Sequence, residues 1–128
     1  MKILLDIHIF LWFISGDRRL PEHIVHSVRN TRNEVYLSVV SIWEAVIKYK
    51  LDKLPLPDSP EIYLPRQRKR HHISSLSVDE ACVTHLSALL VHHRDPFDRM
   101  LICQALEHNL VLATVDGKIK KYLVNTLQ

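Results

Sequence analysis

Short apolar runs alternate with longer amphipathic segments along this chain. Apolar and often β-branched runs at residues 2–5, 35–40, 73–76 and 110–114 predict strands, and residues 123–125 predict an edge strand. Because these runs are continuous rather than alternating, they are typical of strands that are covered on both faces. The pattern therefore favours a parallel sheet between layers of helices.

Helical spacing and capping signals mark the segments between the strands. A helix after Asp6 should end at Gly16, and a second helix should begin at Pro21. Ser41 is the predicted N-cap of a third helix that continues to about Leu51. Further helices are predicted from residue 60 into a basic run at 66–72, and over residues 78–90, 95–109 and 117–122. The expected architecture is a single α/β domain over residues 1–128.

Composition narrows the functional classes. The 128 residues are 47% hydrophobic, enough for one core, and the formal charge of +3 favours a polyanionic partner. Two cysteines without CxxC spacing indicate reduced thiols, and no apolar run is long enough to cross a bilayer. We therefore expect a cytoplasmic protein without a membrane partner. With only two glycines, the chain cannot build the usual nucleotide-binding loops.

Four acids fall where predicted strands end or helices begin, at Asp6, Glu44, Asp98 and Asp116. In a parallel sheet these positions share the carboxyl edge, where α/β folds bind ligands. Clustered carboxylates repel one another unless a cation neutralises them, and oxygen ligands favour Mg²⁺ or Mn²⁺. Such an ion activates water for phosphodiester hydrolysis.

Each acid also has a purely local interpretation, and the spacing leaves both open. Asp6 is a suitable N-cap, and Asp116 followed by glycine is typical of a turn. Glu44 fits a capping box with Ser41 and an i,i+4 ion pair with Lys48. In Asp95-Pro96-Phe97-Asp98, the first residue is the predicted N-cap and the last lies in the first helical turn.

Four motifs together resemble the PIN-domain ribonucleases, and more narrowly the VapC-type toxins of prokaryotic toxin–antitoxin pairs. The resemblance runs in order from Met1 to about Tyr122. It is carried by Leu4-Leu5-Asp6-x-His8-x-x-Leu11-Trp12, Ser38-x-x-Ser41-x-Trp43-Glu44-x-x-x-Lys48, His93-x-Asp95-Pro96-Phe97-Asp98-Arg99-Met100-Leu101-Ile102 and Leu112-x-Thr114-x-Asp116.

The resemblance implies a three-layer α/β/α PIN fold with a central, mainly parallel sheet. It implies Mg²⁺- or Mn²⁺-dependent endoribonuclease activity on RNA and inhibition by a cognate antitoxin protein. The family's catalytic and metal-binding acids fall on Asp6, Glu44, Asp98 and Asp116. Supporting roles fall on Asp95, beside the ligands or as a cap, on Thr114, as a polar neighbour of the metal water, and on Arg99, at phosphate or in a surface ion pair. Apart from the resemblance, the basic segments at residues 66–70 and 118–121, which include Lys118, are candidates to hold the RNA backbone.

One residue departs from the family pattern. The first motif usually continues Asp-Thr-His, whereas this chain has Ile7 in place of the threonine. A hydroxyl that orients a ligand is missing there. A PIN-like domain that only binds a partner, without nuclease activity, is therefore the alternative function.

The sequence also admits interpretations outside this family. A phosphoacceptor of the receiver type also places acids at strand ends, but the run at residues 35–40 is followed by Ser41 rather than an acid. The aromatic residues Phe10, Trp12, Phe13 and Trp43 are interpreted as core, with a dimer interface as the alternative. Apolar surface on the early helices also predicts a homodimer and a groove for an amphipathic antitoxin helix.

Overall fold

A computed structural model of the chain describes residues 1–89, 95–115 and 126–127. Strands and helices alternate over most of these residues. The strands are β1 (Lys2–Leu5), β2 (Glu34–Ser38), β3 (Ser74–Leu76), β4 (Val111–Ala113) and β5 (Thr126–Leu127). The helices are α1 (Ile7–Ser15), α2 (Glu22–Arg29), α3 (Val39–Lys50), α4 (Pro60–Arg70), α5 (Glu80–Thr84) and α6 (Pro96–His108), and a 3₁₀ helix, His85–Ser87, follows α5.

The five strands form one sheet in the order β3-β2-β1-β4-β5, and every pair of neighbours is parallel. β1 lies in the centre, with Ile3 in register with Val35 on one side and Val111 on the other. All three residues of the apolar run after Lys2 are completely buried. The predicted α/β class with a parallel central sheet is confirmed.

The sheet separates two hydrophobic clusters, because successive residues of β1 point to opposite faces. Ile3 and Leu5 pack with Phe10, Ile24 and Leu64 of α1, α2 and α4. On the opposite face, Leu4 packs with residues of α6, chiefly Leu101, Ile102 and Ala105. Helices therefore cover both faces, which gives the three layers that were expected.

Local chemistry explains where α1 begins and ends. The Asp6 side chain caps α1 by accepting from the Ile9 backbone N–H, and Gly16 ends it with φ of 67°. That left-handed conformation is one that glycine adopts without a side-chain clash. The boundaries of this helix match the prediction.

Two predicted boundaries are wrong. The strand predicted over residues 35–40 ends at Ser38, and α3 begins at Val39, so Ser38 rather than Ser41 is the N-cap. The helix predicted over residues 78–90 is instead the five-residue α5 followed by the 3₁₀ helix. The helix predicted over 117–122 and the edge strand predicted over 123–125 lie outside the described residues.

In the part of the chain that the structure describes, no helix combines the length and apolarity needed to cross a lipid bilayer.

Candidate active site

A cavity of about 230 Å³ lies beside the carboxyl ends of β1 and β4. It collects side chains that are far apart in the sequence; most of them follow these strands or lie in early turns of helices, and Lys48 lies in the last turn of α3. The described residues that line it are Asp6, Ile7, His8, Glu44, Lys48, Asp95, Asp98 and Val115. Four of the eight are acids, and one is a lysine.

Asp6 is held rigidly at the end of β1. Its side chain is buried and accepts a hydrogen bond of 2.9 Å from the Ile9 backbone N–H, and its own N–H donates to the carbonyl of Ala113 at 3.1 Å. Burial raises the pKa of the Asp6 carboxyl, although hydrogen bonds from Ile9 and the Thr114 side chain act in the opposite direction. The site therefore contains a carboxylate whose charge is poorly solvated in the absence of a cation.

Glu44 lies in α3 and is only 3% exposed. One turn further along the helix, the Lys48 ammonium donates a hydrogen bond to the Glu44 carboxylate. Burial lowers the pKa of Lys48, but the bond to Glu44 and the charges of Glu44, Asp95 and Asp98 outweigh burial and raise it. The acidic cavity thus holds one side-chain cation of its own.

The proposed capping box of Ser41 and Glu44 is not formed. The Ser38 hydroxyl caps α3 by accepting from the Val40 N–H at 3.0 Å, and it donates to Gln104 Oε1 at 2.6 Å. Glu44 lies in the second turn of the helix rather than at the position that a capping box requires. Of the two local interpretations of Glu44, only the ion pair with Lys48 is present.

Asp95 and Asp98 lie at the beginning of α6. Asp95 Oδ1 accepts hydrogen bonds from the N–H groups of Phe97 at 2.9 Å and Asp98 at 3.3 Å, so it is the N-cap that the sequence predicted. Because the positive end of the α6 dipole faces this side, it favours negative charge in the cavity.

The structure brings three of the four predicted metal ligands to one cavity: Asp6, Glu44 and Asp98. The fourth, Asp116, and the predicted RNA contact Lys118 lie outside the described residues. Thr114 is buried beside Asp6, whereas Arg99 is not among the described residues that line the cavity.

Two polar residues of the lining have no site role predicted from the sequence. Lys48 was interpreted only as the ion-pair partner of Glu44, and His8 only as part of a motif. The spacing of Lys48 four residues after an acid near a strand end was the available signal, because i,i+4 residues share a helix face.

The composition of the cavity fits a hard divalent cation. Its described lining carries four carboxylates against one ammonium, and two of the carboxylates, Asp6 and Glu44, are buried. The ligand atoms they offer are all oxygens, the donors that Mg²⁺ and Mn²⁺ prefer. A separate cluster of Asp79, Cys82 and His108 lies elsewhere in the fold and does not contribute to this cavity.

Comparisons with known proteins agree with this architecture. The family described as PIN domain matches residues 3–123. Over 61 residues, the chain is 43% identical to Ribonuclease VapC16 of Mycobacterium tuberculosis, a match that covers 48% of this chain. The match spans only 43% of the length of that relative.

Solved structures resemble the chain over nearly its whole length. VapBC2 from Rickettsia felis, bound to a DNA fragment from the promoter, has a TM-score of 0.73 at 15% identity and covers 99% of this chain and 98% of its own. VapBC-1 from nontypeable Haemophilus influenzae has a TM-score of 0.68 at 18% identity, with coverage of 100% and 98%. At these identities the likeness concerns the fold.

Proposed function

From the premise that the chain belongs to the PIN-domain family, we propose that it is a metal-dependent endoribonuclease and the toxin of a toxin–antitoxin pair. The observation that carries the proposal is the single cavity lined by Asp6, Glu44, Asp95 and Asp98. A curated relative named as a ribonuclease supports it, and so does a structural neighbour from Klebsiella pneumoniae described as a toxin–antitoxin complex. Because RNA is the proposed substrate, the cytoplasm is the proposed location.

Asp6, Glu44 and Asp98 would hold Mg²⁺ or Mn²⁺, and we propose Asp116 as a further ligand. When bound, the ion would activate water and stabilise the charge that develops on the phosphodiester. The chain's own residues prepare the site: the Ile9 N–H and Thr114 fix the Asp6 carboxylate, and Lys48 fixes Glu44. Asp95 anchors the beginning of α6, which positions Asp98.

Arg99 and Lys118 are proposed to contact the RNA backbone. Arg99 follows Asp98 on α6, and Lys118 follows the last predicted ligand. The basic run on α4 is partly engaged within the chain, since Arg66 pairs with Asp58 and Arg68 donates to the Ile73 carbonyl. Lys69 and Arg70 are exposed, but they lie toward the amino ends of the parallel strands, at the opposite edge of the sheet from the acids, so we do not propose them as contacts of the phosphate that is cleaved.

The test is cleavage of a single-stranded RNA by the purified chain with Mg²⁺, with analysis of the product ends. We expect 5′-phosphate and 3′-hydroxyl ends, loss of activity on chelation, and loss of most activity in Asp98→Asn, which keeps the fold. Asp58→Asn changes an exposed acid away from the cavity and should cleave at the parent rate. Cleavage by Asp98→Asn at the parent rate would place the active site elsewhere.

An apolar groove beside the acids is the proposed docking site for the antitoxin. The groove has a volume of about 630 Å³, with walls that include Leu11, Trp12, Leu54 and Tyr63. It shares His8 and Val115 with the acidic cavity. An amphipathic antitoxin segment seated here would bring a basic side chain within reach of the carboxylates.

Competition tests this docking site. A peptide from the cognate antitoxin should inhibit cleavage, and Trp12→Ala should weaken inhibition without reducing cleavage itself. Inhibition that is equally strong against Trp12→Ala and the parent would exclude the groove.

A stripe of exposed apolar side chains on and just after α3 supports the proposed homodimer. Val39, Trp43, Ile47 and Leu51 repeat every four residues and are 39%, 58%, 36% and 58% exposed. Trp43, which the sequence assigned to the core, is therefore a surface residue, whereas Phe10 is completely buried. The described apolar surface is therefore not confined to the first two helices, where the sequence predicted it, but extends over α3.

Light scattering at tens of micromolar protein tests the dimer. The parent should be a dimer, Trp43→Asp a monomer, and Ile62→Asp, which changes an equally exposed residue on α4, a dimer. A monomeric parent would contradict the proposal.

The alternative function, binding without nuclease activity, depends on Ile7. This residue lines the cavity, and its side chain is 2% exposed and packed in the core cluster beneath α1. Mn²⁺ binding without RNA cleavage would favour this alternative over the nuclease.

A further inference from the structure

A second group of potential metal ligands lies at the opposite end of α6 from the acidic cavity. It comprises Asp79, which caps α5, Cys82 within α5, and His108, the last residue of α6. His108 follows Asp98 by ten residues, which separates the two positions by about 15 Å along the helix. The cluster is therefore distinct from the proposed nuclease site.

Two of the three donor–donor separations in this cluster match those of a tetrahedral zinc site. Cys82 Sγ lies 3.6 Å from His108 Nε2, and Asp79 Oδ2 lies 3.4 Å from the same nitrogen. Bond lengths of about 2.3 Å to sulfur and about 2.0–2.1 Å to nitrogen and oxygen, at tetrahedral angles, separate S from N by about 3.5 Å and N from O by about 3.4 Å. All three donors lie within 4.8 Å of one another.

The same contacts argue against a catalytic relay. A nucleophile and an orienting acid bind different nitrogens of the histidine, whereas Cys82 and Asp79 both face Nε2. Burial also raises the pKa of the Cys82 thiol to about 11, opposite to the direction that a nucleophilic cysteine needs. Convergence of three donors on one point is instead what a shared cation requires.

The cluster is preorganised, and solvent can reach it. Asp79 Oδ1 accepts the Cys82 N–H at 2.9 Å as the cap of α5, which leaves Oδ2 directed at His108. The Asp79 and His108 side chains are 52% and 34% exposed, whereas Cys82 is completely buried. An ion can therefore enter from the acid and imidazole side and meet the thiol at the bottom.

We propose that Asp79, Cys82 and His108 bind a zinc ion, with water as the fourth ligand. Sulfur and imidazole select zinc over Mg²⁺, and one thiolate with one carboxylate balances its two positive charges. On binding, the S–H bond breaks and its proton passes to the buffer while the Zn–S bond forms. The ion would join the beginning of α5 to the end of α6, the helix whose first turn carries Asp98.

Co²⁺ tests this site in the full-length chain, because a Co²⁺–thiolate bond absorbs in the near ultraviolet and an all-oxygen site does not. Under a thiol-free reductant, we expect this band to saturate at one equivalent and to disappear when Zn²⁺ is added. Cys82→Ala should abolish the band, and Cys103→Ala, which changes the other buried cysteine, should retain it. His108→Gln and Asp79→Asn should each weaken Co²⁺ affinity at least about tenfold.

Asp79→Asn preserves the helix cap, since asparagine caps as well as aspartate, so it isolates the loss of a charged ligand. Circular dichroism in chelator verifies that each variant is folded, and His108→Gln replaces Cys82→Ala if the latter does not fold. Asp98→Asn should retain the band, which separates this site from the nuclease. No band in the folded parent, or undiminished affinity in both His108→Gln and Asp79→Asn, would overturn the proposal.

Discussion

Lys48→Met probes the balance of charge in the acidic cavity. Lys48 is the only lysine or arginine among the described residues that line the cavity, and its partner Glu44 has a side chain that is 4% exposed. Methionine keeps the unbranched stem and a similar helix propensity, so the substitution removes the charge with little change in shape. Glu44 is then left buried without its ion-pair partner.

The expected cost follows from burial. Breaking a fully buried pair costs about 3–5 kcal/mol, whereas an exposed pair contributes about 0–1 kcal/mol. Because 32% of the Lys48 side chain is exposed, Lys48→Met should cost less than the loss of a fully buried pair. We expect it to lose about 2–3 kcal/mol of unfolding free energy in chelator. Urea denaturation measures this loss, and Lys50→Met, an exposed lysine of the same helix, should lose less than about 0.5 kcal/mol.

Metal binding should restore the stability that Lys48→Met loses. A ligand at a hundred times its dissociation constant stabilises the folded state by about 2.7 kcal/mol, and a divalent ion can replace the missing ammonium beside Glu44. Mn²⁺ should therefore stabilise Lys48→Met more than the parent and bind it more tightly. Equal stability of the two proteins in chelator, or equal stabilisation by Mn²⁺, would refute the role of Lys48 as a resident counter-cation.

Three further substitutions test the cavity. Burial raises the folded-state pKa of Asp6 above its ordinary value of 3.8, so the ionisation of Asp6 costs stability as pH rises through the folded value. In chelator, Asp6→Asn should therefore gain stability over the parent as pH approaches neutrality. A difference in stability that does not depend on pH in urea melts would contradict this. Ile7→Thr should lose about 1–3 kcal/mol of unfolding free energy, since it buries a hydroxyl among apolar neighbours, and its Mn²⁺ affinity by calorimetry should be unchanged. Tighter Mn²⁺ binding would show that the family's threonine orients a ligand. Asp95→Ala should lose about 1 kcal/mol of cap stability by thermal melting and Asp95→Asn almost none, so equal losses would exclude the cap.

The features that the sequence predicted best depend on local chemistry. The boundaries of α1 follow from an Asp cap and a glycine end, and the beginning of α6 follows from Asp95 and Pro96. In each case the interacting groups lie within four residues of one another. The parallel sheet was predictable because its strands read as continuous apolar runs.

The features that were missed depend on distant contacts or competing hydroxyls. Val39 and Val40 extend the β-branched run, yet the helix begins there because Ser38 caps it and bonds Gln104, which lies 66 residues away. After Thr84, side-chain hydroxyls bond nearby carbonyls, Thr84 to Ala81 at 2.7 Å and Ser87 to Thr84 at 3.0 Å. Such bonds accompany the change from α to 3₁₀ geometry at His85.

The candidate site also combines features that the sequence predicts with features that depend on distant contacts. The acids at strand ends could be predicted to share one edge, because parallel topology alone brings them there. The burial of Glu44 could not be predicted, since it depends on how α3 packs against the sheet. For Lys48, the i,i+4 spacing indicated the ion pair with Glu44 but not the nearby carboxylates of Asp95 and Asp98. The contact of Cys82 with His108 joins two helices and has no signature in the spacing of the residues.

The rate of RNA cleavage as a function of free Mn²⁺, measured for the parent and Asp98→Asn, tests the central claim most directly. The claim is that the acids around the cavity hold the ion on which hydrolysis depends. We expect the parent rate to rise with Mn²⁺ to a plateau and to vanish in chelator, and Asp98→Asn to need far more Mn²⁺ and to reach a much lower plateau. Cleavage that persists in chelator, or an identical Mn²⁺ dependence in the two proteins, would contradict the account.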